Sequence, residues 1–169
     1  MELWCSILKM KNKIFSLSMD GKVQELENEL KNDTQGINDK ADLDYSPLAI
    51  AVARGHKDVV KLLLANGAVA NTQDQKGNTP LHYASENNSM EIAELLLAHG
   101  ADLNIQNNSG NQALWTATFS AADGDQNKIP LVKLLLENGA DKQHLNNVGK
   151  KPVDIANKIG VPALIELLA

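Results

Sequence analysis

The sequence predicts an all-α solenoid of helix-turn-helix units joined by short hairpin-like loops. The first observation is a period. Leu48, Leu81 and Leu114 are each 33 residues apart, as are Gly67 and Gly100 and the triplets Leu62 to Leu64 and Leu95 to Leu97. Self-similarity at such a period marks stacked supersecondary units. The second is the order of signals inside each period: a turn, a capped helix of small residues, an amphipathic helix, and a glycine stop. The third is composition. Aromatic residues are 4% of the 169 and hydrophobic residues 43%, so small and aliphatic side chains must form the core.

The elements can be justified in order on the clearest stretch, "DQKGNTPLHYASENNSMEIAELLLAHGA". Gly77 supplies a turn, Thr79 is placed to cap a helix, and Pro80 fits its first turn, where a missing N–H is harmless. Leu81, Ala84 and Ser85 follow at helical spacing and allow a neighbouring helix to approach closely. A second helix has Ile92, Ala93, Leu95 and Leu96 on its inner side and Glu91 and Glu94 outside. Gly100 ends it in a left-handed conformation. "SPLAIAVARGHKDVVKLLLANGA" repeats the pattern from Ser46. "QALWTATFSAADGDQNKIPLVKLLL" keeps its ends but loses phase. The step from Gly100 to Gly139 is 39, and the six extra residues fall between Leu114 and Leu134. Pro130 is expected to open the second helix of that unit, with the extra residues either lengthening the first helix by a turn or forming an acidic loop.

Helix, turn, helix, glycine stop and extended return at this period resembles the ankyrin repeat. The residues that carry the resemblance are Thr79-Pro80-Leu81-His82, Gly67-Ala68, Gly100-Ala101-Asp102, Gly139-Ala140-Asp141, Asn71 and Asn104. It covers the chain from about Asn38 onward and the first 37 residues loosely. There Ile14, Phe15, Leu17, Val23, Leu26 and Leu30 look like a degenerate N-terminal cap, with Ile37-Asn38 opening the next loop. Five units are expected in a single domain over 1–169: about 1–40, 41–73, 74–106, 107–145 with the insertion, and 146–169 as a C-terminal cap. Lys150, Lys151, Lys158 and Glu166 would make the last outward face polar, as a solenoid end requires.

Charge and motifs narrow the function classes. A formal charge of -5 argues against a nucleic-acid partner. The one basic cluster, Lys9, Lys11 and Lys13, reads as a solvated helix face. The single cysteine, Cys5, has no partner for an internal disulfide, which fits a reducing compartment. No apolar run approaches the ~20 residues that span a bilayer, and the opening stretch lacks the features of a secretory signal. The expectation is a soluble, cytoplasmic protein without membrane contact. His56, His82, His99 and His144 form no HxxxH or HExxH pair. Asp123 and Asp125 lack the third Asp and the closing Glu of a calcium loop, so a polar turn is the better reading. Phosphate-cradling and serine-nucleophile motifs are absent. No metal, no cofactor and no enzymatic activity is expected. Asn87-Asn88-Ser89 and Asn107-Asn108-Ser109 match glycosylation acceptors but have no expected secretory route.

What the resemblance implies is a protein-binding scaffold, monomeric until bound. It places binding at the loop tips and at the exposed side of each first helix, which line a concave groove. Carried over to this chain, the tips are Asp42, Leu43, Tyr45, Gln75, Lys76, Asn78, Asn108, Ser109 and Asn111. The helix face adds Arg54, Tyr83, Glu86, Asn87, Trp115, Phe119 and Ser120. Trp115 stands where His82 stood one unit earlier, and Phe119 where Glu86 stood. They are four apart, so their rings can share a face. Trp115 is expected to pack into the stack in place of the missing histidine; for Phe119, packing and a groove role are both open. The insertion, with Asp123 and Asp125, is expected to be a secondary contact or a specificity element. A short array resembles small bacterial ankyrin proteins, some of which are immunity or inhibitory partners of toxins or enzymes. An adaptor that tethers its target without blocking it is the alternative.

Overall fold

Ten α-helices in five consecutive pairs form the fold in the computed structural model, which describes residues 13–169. The pairs are α1 (Lys13–Met19) with α2 (Val23–Asn32), α3 (Pro47–Ala53) with α4 (Lys57–Ala65), α5 (Pro80–Glu86) with α6 (Met90–Ala98), α7 (Ala113–Ser120) with α8 (Ile129–Glu137), and α9 (Pro152–Ile159) with α10 (Pro162–Leu168). Among the described residues there is no strand. Cys5, Lys9 and Lys11 lie outside the described residues, as does the side chain of Asp42.

Helix starts follow from the sequence. All five prolines occupy the first turn of a helix, at Pro47, Pro80, Pro130, Pro152 and Pro162. The ring removes an N–H that would have no intrahelical acceptor there, and its fixed φ suits the helix. Ser46 caps α3 by accepting the Ala49 N–H at 3.1 Å. The outer helices α4, α6 and α8 share one ending. At α6, the Ala101 N–H reaches the Leu96 carbonyl at 3.0 Å and the Gly100 N–H reaches Leu97 at 3.1 Å. This is the Schellman arrangement, and it requires the left-handed φ of 80° that Gly100 adopts without strain.

First helices stack on first helices, α1 on α3, α5, α7 and α9 in turn, and second helices form a parallel outer row. The inner row packs more closely because its facing positions are small: Ala51, Ala84, Ser85, Ala117 and Thr118 are buried. Two buried hydroxyls return to their own helix, Ser18 to the Ile14 carbonyl at 2.7 Å and Thr118 to Leu114 at 2.8 Å. Between the rows lies one leucine-rich core. Leu26, Leu48, Leu63, Leu81, Leu96, Leu114, Leu131, Leu135 and Leu164 are almost wholly inaccessible. No pair could bury this surface alone, so the core exists only in the stack.

The two ends differ from expectation in detail. Ile14, Leu17, Leu26, Leu30 and Ile37 are buried in the first pair, but Val23 is exposed at the start of α2. Lys150, Lys158 and Glu166 are exposed on the last pair, with Lys151 half-buried. The same end also leaves Leu145, Val148 and Ile159 exposed.

Candidate protein-binding groove

The loops that precede α5, α7 and α9 are copies of one tight turn. Asp74, Asn107 and Asn146 open them, and the amide N–H of each donates to the carbonyl four residues on, at 3.1, 2.9 and 3.0 Å. The side-chain oxygen of each accepts two backbone N–H groups inside the turn, Lys76 and Asn78 for Asp74, Ser109 and Asn111 for Asn107, Val148 and Lys150 for Asn146. Successive tips are tied sideways: Gln75 N–H to the Leu43 carbonyl, Asn108 N–H to Lys76 and Asn147 N–H to Ser109, at 2.9–3.1 Å. Glycine is required by this approach. A Cβ on Gly77 would stand 2.9 Å from the Asn108 nitrogen, and one on Gly110 would stand 2.7 Å from the Asn147 nitrogen.

The loop before α3 breaks the rule. It has Ala41 where the others have Asp or Asn, and Asp44 where they have glycine. Asp44 and its neighbour Leu43 both carry left-handed φ, 61° and 58°. Leu43 projects 61% exposed from this tip.

Behind that tip three side chains converge. The rings of Tyr45 and Tyr83 are 5.5 Å apart and their hydroxyls 2.9 Å apart. Tyr83 Oη also donates in a short hydrogen bond to Asp74 Oδ2. An ionised Asp74 can only accept, so the Tyr83 proton is committed to it and Tyr45 donates between the hydroxyls. Burial, then the Asp74 bond, raises the Tyr83 phenol far above its ordinary pKa. The sequence expectation placed the Tyr83 ring on the groove surface, and there the structure differs. Tyr83 is buried at 8% because its hydroxyl has two polar partners inside the loop.

His82 ties one loop to the next. The Thr79 N–H donates to its Nδ1 at 3.2 Å, which puts the imidazole proton on Nε2, and Nε2 donates to the Asn111 carbonyl at 2.9 Å. Desolvation lowers its pKa below the ordinary histidine value, so it is neutral. In the fourth pair Gln112 and Trp115 stand at the positions of Thr79 and His82. Gln112 Oε1 and Trp115 Nε1 are buried without a hydrogen-bond partner among the described residues. The asparagine tie is kept, Asn146 Nδ2 to Asn111 Oδ1 as Asn107 Nδ2 to Asn78 Oδ1 one pair earlier, and the histidine tie is replaced by His144 Nε2 to the Gly110 carbonyl, each 2.9 Å.

Trp115 is half-buried and stacks on Phe119, with centroids 5.6 Å apart and planes 9° from parallel. Phe119 is 59% exposed. The insertion that follows is folded back. Ala121–Asp123 forms a 3-10 turn whose Ala121 and Ala122 are buried, and Gln126–Lys128 forms a second. Both open alternatives are therefore realised in series, an added turn and then an acidic loop. Lys128 Nζ caps the Ser120 carbonyl at 3.1 Å and pairs with Asp123, which holds that carboxyl below its usual range. Asp125 accepts the Asn127 N–H at 3.0 Å. Across to the third pair, Asn88 Nδ2 reaches the Asn127 carbonyl at 3.3 Å and Ser120 Oγ reaches Glu86 at 3.0 Å. The insertion also packs on α9. Its two carboxylates are thus already engaged within the chain.

Of the other expected residues, Arg54, Gln75, Lys76, Glu86, Asn87, Asn108 and Ser109 are exposed, while Tyr45, Asn78 and Asn111 are half-buried. Asn87 Nδ2 donates to the Ala53 carbonyl at 3.0 Å and so closes the end of α3. The sequence reading passed over Asp74, Asn107 and Asn146, which build the tips, and over Val148, 76% exposed at the last one. Their signal was available: an Asp or Asn stands three residues before the glycine in each of these loops. Among the described residues no three His, Cys, Asp or Glu side chains gather to hold a metal ion, and no helix is long and apolar enough to cross a membrane.

A two-row helical stack with tied loop tips and an aromatic pair on its inner row defines an all-α repeat scaffold. The family model for ankyrin repeats, in three copies, matches residues 17–107, more than half of the chain, and the chain belongs to the ankyrin-repeat family. The match ends where the irregular fourth pair begins. The chain is 36% identical over 73 residues to the transient receptor potential cation channel subfamily A member 1 homolog of Caenorhabditis elegans, covering 43% of this chain and 6% of that protein. It is 37% identical over 70 residues to an ankyrin repeat-containing protein of Schizosaccharomyces pombe, 40% of this chain and 32% of the relative. A putative ankyrin repeat protein of Rickettsia bellii is 54% identical over 39 residues, 23% of this chain and 16% of its own. The chain thus spans a third or less of each of these relatives. Ankyrin repeats generally mediate protein–protein interaction and are generally non-catalytic.

Proposed function

We propose that the five helix pairs act as a single array that grips one protein partner along the loop tips and the exposed ends of the inner helices, masking a functional surface of that partner. The observation that carries this reading is Phe119, 59% exposed yet held flat on Trp115. A ring already fixed in place loses little entropy on binding, and aromatic side chains carry a disproportionate share of interface energy. Glu86 and Asn87 at the end of α5, one pair away, and Arg54 at the end of α3, two pairs away, continue a polar rim, and Leu43 offers an apolar contact at the far tip. Ankyrin repeats generally mediate protein interaction, which supports the coarser half of the reading; the inhibitory half rests on the groove.

The test is co-purification of the native partner followed by titration against Phe119→Ala. A loss of about 2 kcal/mol, ~30-fold in affinity, is expected, together with suppression of the partner's activity in the complex. Unchanged affinity rejects the site. A partner that stays fully active favours the adaptor reading instead. That reading has its own support, since the segment similar to this chain makes up only 6–32% of each of these relatives.

A further inference from the structure

The outer helices α4, α6 and α8 end on the same hydrogen bond made by two different residues. Asn66 Nδ2 donates to the Leu62 carbonyl, His99 Nδ1 to Leu95 and Asn138 Nδ2 to Leu134, each at 2.8 Å. In all three the next residue is a glycine with left-handed φ, Gly67 at 89°, Gly100 at 80° and Gly139 at 92°. His99 shows that the cap needs only a donor. The two asparagines bring something histidine does not, an amide beside an unhindered Gly nitrogen.

We propose that Asn66-Gly67 and Asn138-Gly139 are spontaneous deamidation sites, held closed by the helix ends and opened only when an outer helix frays. In the reaction the Gly67 backbone nitrogen gives its proton to solvent base and bonds to Asn66 Cγ. The Cγ–Nδ2 bond breaks and ammonia leaves. Water then opens the cyclic imide at either carbonyl, giving aspartate or isoaspartate. The same steps apply at Asn138 and Gly139. No oxidant or reductant is involved.

The folded geometry opposes ring closure three ways. The attacking nitrogens are engaged, Gly67 N–H with the Leu64 carbonyl at 3.1 Å and Gly139 N–H with Leu136 at 2.9 Å. Each side-chain amide is held away by the carbonyl one turn earlier, Leu62 for Asn66 and Leu134 for Asn138. The asparagine ψ values, 15° and 6°, lie near zero and far from the rotation that brings the Gly nitrogen onto Cγ. Once opening permits the reaction, the product cannot restore the cap. A carboxylate replaces the donor and sits at the negative end of the helix dipole, so each event eases the next opening.

The experiment is peptide mapping by mass spectrometry of the full chain aged at neutral pH, in buffer and in urea. Both sites are expected to deamidate in urea, and in buffer to do so ~tenfold or more slowly, as closed positions require. Equal rates in buffer and urea overturn the gating. Failure of either site to react in urea overturns the assignment, as does faster reaction in buffer at Asn88 or Asn108, each followed by serine. The double variant Asn66→His, Asn138→His copies the third helix. It should melt like the fresh wild type and lose the drop in melting temperature that ageing produces; a drop unaltered by the substitutions overturns the proposal. If that variant does not fold, the buffer-to-urea ratio in the wild type still decides.

Discussion

The third and fourth helix pairs have the same frame and treat polarity in opposite ways. In the third, Thr79 and His82 satisfy each other and the Asn111 carbonyl, and the second helix follows after a short turn. In the fourth, Gln112 and Trp115 leave Oε1 and Nε1 buried and unpaired, and the connection carries two extra 3-10 turns. The cores are nonetheless alike: Leu81, Leu96, Leu114 and Leu135 are all buried to 1% or less. The difference teaches that the leucine layer sets the stack while the polar layer is free to change. Change is tolerated where a neighbour makes up the tie, as His144 does here.

The largest effects should fall where the two pairs are the same. Leu96→Ala and Leu135→Ala should each lower stability by ~2–5 kcal/mol, read by circular dichroism melts. A Leu135 loss well under that of Leu96 would mean that the fourth pair is not a full member of the stack. Next comes the polar layer. His82→Phe strands the Thr79 N–H and removes one of the two donors to the Asn111 carbonyl, and should cost ~1–3 kcal/mol. Trp115→Phe removes a donor that has no partner and should change stability by less than ~0.5 kcal/mol. Equal costs would erase the contrast between the pairs.

The same contrast has a pH signature. His82 has a lowered pKa in the folded state, so below about pH 6.5 the unfolded chain takes up a proton that the folded chain refuses. Its contribution is complete above that pH and is lost as the pH falls toward the folded value. The melting temperature should therefore drop more between pH 7 and pH 5 in the wild type than in His82→Gln. Identical drops would show that His82 is not the group responsible. The smallest effect belongs to the insertion. Asp123→Asn breaks an exposed ion pair with Lys128 and should leave the melt within error, since surface pairs contribute little.

Much of the architecture was legible because it depends on periodicity and on local chemistry. The 33-residue spacing, the capping residues and the glycine stops act within a few residues, and each recurs often enough to be read. The five prolines at helix starts belong to the same class. The candidate site was less legible. Tyr83 sits at an outward-looking position of its helix by spacing, yet it is buried because Asp74, nine residues earlier, and Tyr45, from the preceding loop, reach its hydroxyl. Asp123 and Asp125 read as a free acidic loop until Lys128 and Asn127 are seen to engage them.

By itself, then, the sequence determined the repeat, its phase, the helix ends and the place where the phase is lost, because hydrophobic period and backbone capping are local codes. Tertiary structure decided which polar and aromatic side chains remain for a partner. That depends on atoms supplied by the neighbouring pairs: a hydroxyl finds its acceptor one repeat away, as Ser120 does at the Glu86 carbonyl, and the Asn88 amide reaches the Asn127 carbonyl of the next pair.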